Sequence, residues 1–393
     1  MIKKILDLGQ QPLANSYLAK NKLKSKEKKF RLQVGFHTKN YLVSIMKTVS
    51  KEKMFNENYP YKSSESITMK KSFENLSKKI KNYYKPNFII EIGSNDGAFI
   101  RNFNKKTVIG VEPCKNLAKL TKNQKYKIYS EYWNQKLAKK ITKNKKAHLI
   151  YSANTLSHIK NLNEIFAAIN IALSKDGVLI LEDPSLLQCV KNVAYDQFYC
   201  EHIYVFSTIA LKNILLKFDL EIFNIENITT HGGSNRYFIK KKISKKFKIN
   251  KNVKKEISKE LKFGLDKIST YQKFEKDVIK SKKKLLNIFK KLLNKKYKII
   301  GYGATAKSCT VLNYCGIDKR SIMYFYDTTS YKINKYLPGS KILIKKYRKL
   351  DKKKIDVAFL GAWNFKEEIF KKEKNFINKG GKFITHVPIP KII

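Results

Sequence analysis

Phe88-Ile89-Ile90-Glu91-Ile92-Gly93-Ser94-Asn95-Asp96-Gly97 is a buried-strand pattern running into a turn of small residues, and Val108-Ile109-Gly110-Val111-Glu112-Pro113 follows shortly after. Glycines allow a backbone to approach a ligand closely, and the helix expected after the turn presents a partly positive N-terminus. Glu112, at the end of the second strand, is placed to accept both hydroxyls of a ribose. The stretch contains no GxGxxG and no GxxxxGK[ST], which argues against a dinucleotide or a nucleoside triphosphate here. The spacing Glu91-x-Gly93-x-x-x-Gly97 suits S-adenosylmethionine, with Asn95, Asp96 and Pro113 beside it.

Outward from this stretch, YKIYS, HLIYSAN and GVLILED read as further buried strands of a parallel sheet. Segments 116–123, 133–141 and 162–173 supply the intervening helices. The fold expected is α/β, a doubly wound sheet. About the first 75 residues read as short and turn-rich, with little periodicity. From 250 to 295, Val253, Ile257, Leu261, Ile268, Tyr271, Val278, Leu285, Phe289 and Leu292 recur at helical steps, a connector with one apolar stripe. A second, smaller α/β unit starts near Lys298 with GYGATA, a G-x-G-x-x-A turn, and Asp327 follows at the interval of a nucleotide-binding acid. A lone turn of this kind fits NAD, a nucleotide-sugar or nothing.

With 393 residues the chain holds two or three domains. The net charge of +52 invites a nucleic-acid reading, but only five of the 83 basic residues are arginine. Base and phosphate recognition favours arginine's planar fork, so the lysine excess reads as solvated surface. Five cysteines without a CxxC pair suggest a reducing compartment, no apolar run approaches a membrane span, and MIKKILDLGQ is broken at Asp7. The expectation is a soluble cytoplasmic protein that binds neither nucleic acid nor membrane.

Three histidines stand in distinctive settings. Tyr199-Cys200-Glu201-His202 follows the last parallel strand, His231-Gly232-Gly233-Ser234-Asn235-Arg236 comes some thirty residues later, and Asn154 to His158 ends the fourth strand. Ligands of open α/β sheets lie at the carboxyl ends of strands, so these segments should face one cleft. A carboxylate next to His202 suits general-base work near neutral pH.

These residues carry a family resemblance. LDLGQQPLANSYL, YPYKSSES, EIGSNDG, GVEP, ANTLSHI, YxEH, HGGSxR, GYGATAKSCTVLNYCGI, LPGSKI, AWNFKEEI and VPIP occur in one order, and with them the chain resembles the sugar C-methyltransferases that act on nucleotide-linked 4-keto-deoxysugars. The resemblance implies a small zinc domain (1–75), a class I S-adenosylmethionine-dependent methyltransferase core (76–250), a helical connector (251–296) and a C-terminal Rossmann-like domain (297–393). It implies surface-glycan or deoxysugar biosynthesis as the setting. In this reading Glu112 holds the ribose of the methyl donor, and Glu131 meets its adenine, with Asn154 nearby. His202 removes the proton beside the ketone, Tyr199 and Glu201 position it or stabilise the enolate, and His158 assists. Tyr59, Tyr61, Ser63, His231, Gly233, Arg236, Gly303, Lys307 and Asn313 contact the sugar nucleotide.

Two departures from the family pattern stand out. The chain begins too late for the first cysteine pair of the zinc domain, and His37 and Asn40 replace the second, so no metal is expected. Cys200 stands where the family carries a second histidine. Competing expectations are transfer to an oxygen or nitrogen of a glycan sugar, a nucleic-acid methyltransferase, and an NAD-dependent oxidoreductase using GYGATA. Glu182-Asp183-Pro184-Ser185 lacks the DPPY-type tetrad of enzymes that methylate base amines.

Overall fold

The computed structural model describes every residue except Asn58. Its strands build three sheets. Near the N-terminus, β1 (Ile2–Pro12) pairs antiparallel with β2 (Lys29–His37), and β2 with β3 (Val43–Ile45). These are longer elements than the turn-rich reading of the first 75 residues allowed. Their signal is a local alternation: Leu6 and Leu8, then Leu32, Val34 and Phe36, point to one buried face. That face packs against the helices Ile268–Asn294 and Ala306–Cys315.

The central sheet contains β4 (Ile89–Ile92), β5 (Val108–Val111), β6 (Lys127–Tyr129), β7 (Ala147–Ala153) and β8 (Leu173–Pro184). A two-residue strand, β9 (Tyr204–Val205), then leaves this unit and pairs with β3, completing the N-terminal sheet. The chain returns with β10 (Leu220–Ile228) and β11 (Ser234–Lys241), giving the order β10-β11-β8-β7-β4-β5-β6. Only β11 runs antiparallel to its neighbours. The order reverses between β4 and β7, so a crevice opens above their carboxyl ends.

Two helices, Lys251–Phe263 and Ile268–Asn294, form the connector. Tyr271, Val278, Leu285, Phe289 and Leu292 are buried as expected, but Leu261 is 43% exposed and Glu260 takes the inward position. The carboxylate of Glu260 accepts from the N–H groups of Thr208 (2.8 Å) and Ile209 (3.0 Å), which open the helix Thr208–Leu215. An orphan-donor pair at a buried helix start outcompeted a leucine for the site.

The third sheet has the order β14-β13-β12-β15-β16-β17, from β12 (Ile299–Tyr302), β13 (Phe325–Asp327), β14 (Ile344–Lys346), β15 (Val357–Leu360), β16 (Lys382–Thr385) and β17 (Lys391–Ile392). All pairs are parallel except β16 with β17. Its reversal lies between β12 and β15, and the crevice there faces the one in the central sheet.

Candidate active site

One cavity of about 970 Å³ spans both crevices. Its wall includes Gly93, Asn95, Glu112, Pro113 and Asn154 from the central unit. Tyr59, Tyr61 and Ser63 cover it from the N-terminal side. His158, Tyr199, His202 and His231 form the middle, and Gly303 and Lys307 the far end.

On the first side, Gly93 turns with φ 75°, and a Cβ there would collide with Thr155 at the end of β7. The side chain it lacks lets Thr155 close against the turn. Glu112 accepts from the Asn95 N–H (2.8 Å) on one oxygen and from the Cys114 N–H (2.8 Å) on the other. Each carboxylate oxygen keeps a lone pair for a further donor. Burial raises its pKa, and the Cys114 N–H pulls it back. Residues 61–64 lie across the turn as a strap. Ser63 N–H donates to Asn95 Oδ1 (2.9 Å), Asn95 Nδ2 donates to the Tyr61 carbonyl (3.2 Å), and the Ser64 hydroxyl donates to Asp96.

Asp96 and Gly97 thus shape the turn from behind rather than lining the cavity, and so does Glu91. Burial, then the neighbouring charge of Glu112, pushes the Glu91 carboxyl well above the ordinary range. Glu131, expected at the adenine, does not line the cavity: it is half exposed, 3.7 Å from Lys140. Tyr132 and Trp133 line the cavity in its place, and the buried Trp133 indole N–H has no partner among the described residues. The strand β6 ends at Tyr129, so the side chains that turn inward come later than Glu131. One of only two tryptophans in the chain, just past a strand end, was the available signal.

Deeper in the cavity, His202 Nδ1 lies 2.8 Å from the Gln197 carbonyl and Nε2 lies 2.6 Å from the Tyr199 hydroxyl. A carbonyl only accepts, so Nδ1 carries the proton and Nε2 presents its lone pair. Burial, with His158 adding to it, holds the pKa of His202 well below 6.5, and the ring is neutral. Tyr199 is kept a phenol by burial, then by the charge of Glu201. The ring of His158 stacks on Phe55 and lies 5.1 Å from that of His202; burial lowers its pKa to about 4. His231 is in the left-handed region at φ 55°, its pKa driven to about 3 by burial and then by Lys307.

Other expected site residues stand elsewhere. Glu201 is buried beneath the cavity, accepting from Asn15 Nδ2 (2.7 Å) and the Tyr59 hydroxyl (2.9 Å), and burial raises its pKa to about 7. Arg236 does not face the cavity. It pairs with Glu182 (2.6 Å) and Glu226 (3.2 Å), because the antiparallel register of β11 on β8 sets it opposite Glu182. Asn313 bonds the carbonyls of Cys309 (2.8 Å) and Pro338 (3.0 Å), and Gly233 sits in the turn before β11. The thiol of Cys200 is buried in the apolar core that joins the N-terminal sheet to the last one.

The GYGATA turn repeats the design of the first. Asp327 accepts from Ala304 N–H and Thr329 N–H, both at 2.8 Å, just as Glu112 binds Asn95 and Cys114. Here, however, Lys332 lies 3.3 Å from the carboxylate, and Thr305 and Ser308 cap the helix in a reciprocal pair. Those capped donors are the ones a dinucleotide pyrophosphate requires, which counts against the oxidoreductase reading.

Three family models match successive parts of the chain: "Putative zinc binding domain" over 2–55, "Methyltransferase domain" over 68–225 and "C-methyltransferase C-terminal domain" over 229–388. A curated relative, the C-methyltransferase NovU of Streptomyces niveus, is 26% identical over 99% of this chain and 94% of its own. Among solved structures, an S-adenosylmethionine-dependent methyltransferase of Clostridium acetobutylicum aligns over 43% of this chain and 91% of its own, at 15% identity and TM-score 0.35. Magnesium protoporphyrin IX methyltransferase of Synechocystis, with bound S-adenosylmethionine, aligns over 43% and 78%, at 10% identity and TM-score 0.33.

With its Gly93 turn, its Glu112 acid and a central sheet of this order, the chain is a class I S-adenosylmethionine-dependent methyltransferase. The order of its matched domains and its full-length relative are those of an S-adenosylmethionine-dependent C-methyltransferase. The orphaned Trp133 N–H and the unbonded Asn154 Oδ1, both in the cavity wall with Gly93, fit the methyl donor. Zinc does not fit the N-terminal sheet. The first cysteine of the chain is Cys114, His37 Nε2 is bonded to Ser44 Oγ (2.8 Å), and Asn40 Oδ1 accepts from Leu42 N–H. Among the described residues no cluster of His, Cys, Asp and Glu could hold a metal, and no helix is long and apolar enough to cross a membrane.

Proposed function

We propose that the enzyme methylates the carbon beside the ketone of a nucleotide-linked 4-keto-deoxysugar, with His202 as the base. We extend the proposal to a division at 1–75, 76–250, 251–296 and 297–393. The observation that carries it is the state of His202, a neutral imidazole in the cavity wall whose Nδ1 is locked on the Gln197 carbonyl and whose unprotonated Nε2 accepts from the Tyr199 hydroxyl, which must swing away before the ring takes a proton. A hydroxyl or amine acceptor needs less: only a heteroatom proton must leave. A C–H beside a ketone is so weakly acidic that it needs both a base and donors to the developing oxyanion.

S-adenosylmethionine, when bound, supplies an electrophilic methyl group. Glu112 and Asn95 are placed to hold its ribose side, and Trp133 its aromatic base. His202 takes the proton; Tyr199, then released, donates to the enolate oxygen, a contact of a kind commonly worth ~3–4 kcal/mol. His158 and Phe55 exclude water from the same wall. A sugar that carries a diphosphate would also meet the positive field of the chain. The C-methyltransferase name of the Streptomyces niveus relative supports a carbon acceptor. The test is to incubate the enzyme with TDP- and UDP-linked 4-keto-6-deoxyhexoses and the methyl donor. A base-stable, carbon-bound methyl is expected; an O- or N-methyl product overturns the reading.

A further inference from the structure

Lys307 puts a cation into the cavity wall with one hydrogen-bond acceptor among the described residues for its three N–H donors. It is the second residue of the helix Ala306–Cys315, it is 7% exposed, and it lines the cavity. Its Nζ donates to the His231 carbonyl at 3.2 Å and lies 5.1 Å above the ring of Trp363. Among the described residues no carboxylate lies within ion-pair distance of it. Burial lowers the pKa of its ammonium, and the carboxylate that opposes this, Asp196, is engaged by Trp363 Nε1 (2.6 Å) and His386 Nε2 (3.0 Å). An ammonium has three N–H donors, and burying one unpaired is costly. Two donors remain for whatever fills the cavity.

The same ammonium is wired to the base. The His231 carbonyl that it touches also accepts from Gln197 Nε2 (2.7 Å), and the Gln197 carbonyl holds His202 Nδ1. Its charge reaches both rings, adding to the burial that keeps His202 and His231 neutral. The cation at the far end of the cavity is thus linked through the His231 carbonyl and Gln197 to the imidazole in its middle, and both line the same cavity.

We propose that Lys307 is a catalytic residue, the positive charge that stabilises the enolate oxygen when His202 removes the proton beside the ketone. The proposal rests on the carbon-methylation reading above. The C–H bond breaks and its proton moves to His202 Nε2, giving an imidazolium. The electron pair forms the carbon–carbon double bond, and the carbonyl pair moves onto oxygen. The ammonium donates a hydrogen bond to that oxygen and keeps its proton. The enolate carbon then takes the methyl, the carbonyl re-forms, and the pair of the broken sulfur–methyl bond stays on sulfur. The last α/β unit, on this account, supplies chemistry as well as binding.

Wash-in of solvent deuterium at the carbon beside the ketone separates this step from methyl transfer. TDP- and UDP-linked 4-keto-6-deoxyhexoses would be held at saturation in D₂O with S-adenosylhomocysteine present. The wild type should exchange, and Lys307→Met should slow both exchange and kcat about a hundred- to a thousandfold. Binding of S-adenosylhomocysteine to that variant should be unchanged, which reports a folded protein, and Lys307→Arg should lose less by keeping the charge. Exchange by Lys307→Met at the wild-type rate overturns the role. So does a defect confined to KM for the sugar nucleotide, which would assign Lys307 to the phosphates. A wild type that methylates oxygen or nitrogen without exchange would overturn the carbon-methylation reading along with this one.

Discussion

His202 is held between a carbonyl on one nitrogen and a phenol on the other, and this sandwich sets the behaviour of the site. His202→Ala should abolish methylation while the affinity for S-adenosylmethionine, measured by calorimetry, stays close to wild type. The pH profile follows from the sign of its shift. The proposed base works in its neutral form, and burial moves its protonation below 6.5, so kcat/KM should hold as pH falls through that value and decline only further down. A midpoint at or above 6.5 would show another group controlling the reaction. Glu112→Ala removes an acceptor for ribose and also orphans the N–H groups of Asn95 and Cys114. Binding of S-adenosylmethionine should weaken by about 1.5–3 kcal/mol, the range for hydrogen bonds to a charged group. Residues 93, 95, 112 and 202 could be picked out because their motifs are local in the chain. Arg236 and Asn313 could not be placed from sequence, since the direction of each side chain depends on a pairing that the local sequence does not record. Arg236 faces Glu182 through the register of β11, and Asn313 reaches Pro338 across a loop.

At the scale of elements, burial was legible and the identity of buried partners was not. Parallel strands such as β4 and β7 are continuous apolar runs, and they appear where the runs are. The connector's period was also plain, but Glu260 in place of Leu261 reflects a need felt by another helix some fifty residues earlier. Glu260→Ala should leave two buried N–H groups without an acceptor and cost about 2–4 kcal/mol of stability in urea unfolding. Glu260→Gln, which keeps one oxygen, should lose less. Gly232, at φ 88°, sits where a Cβ would enter the ring of Trp363, so Gly232→Ala should lower the melting temperature by straining the join between the central and last sheets. An unchanged melting curve would mean that the join yields without penalty.

For the whole molecule, two of the three sheets share one cavity, and all three belong to one interlocked set of contacts. Tyr17 of the N-terminal sequence donates to the Ala304 carbonyl in the GYGATA turn (2.7 Å), and Asn15 holds Glu201. Prolonged treatment with a chelator should change neither the melting temperature nor turnover, since the donors a zinc ion needs are not there; a fall in either would reveal a metal bound elsewhere. The shared cavity was the least legible feature, because it arises from strands of two sheets brought face to face over more than two hundred residues of sequence.

Two residues after the imidazole, the chain steps out as β9 and lies down beside β3. The small sheet is thus closed by a rung from the same segment that holds the proposed base. Drift in the outermost fifty residues is therefore not neutral: a substitution that tilts this lodged rung would swing the base, and a defect that looks remote would surface as lost turnover.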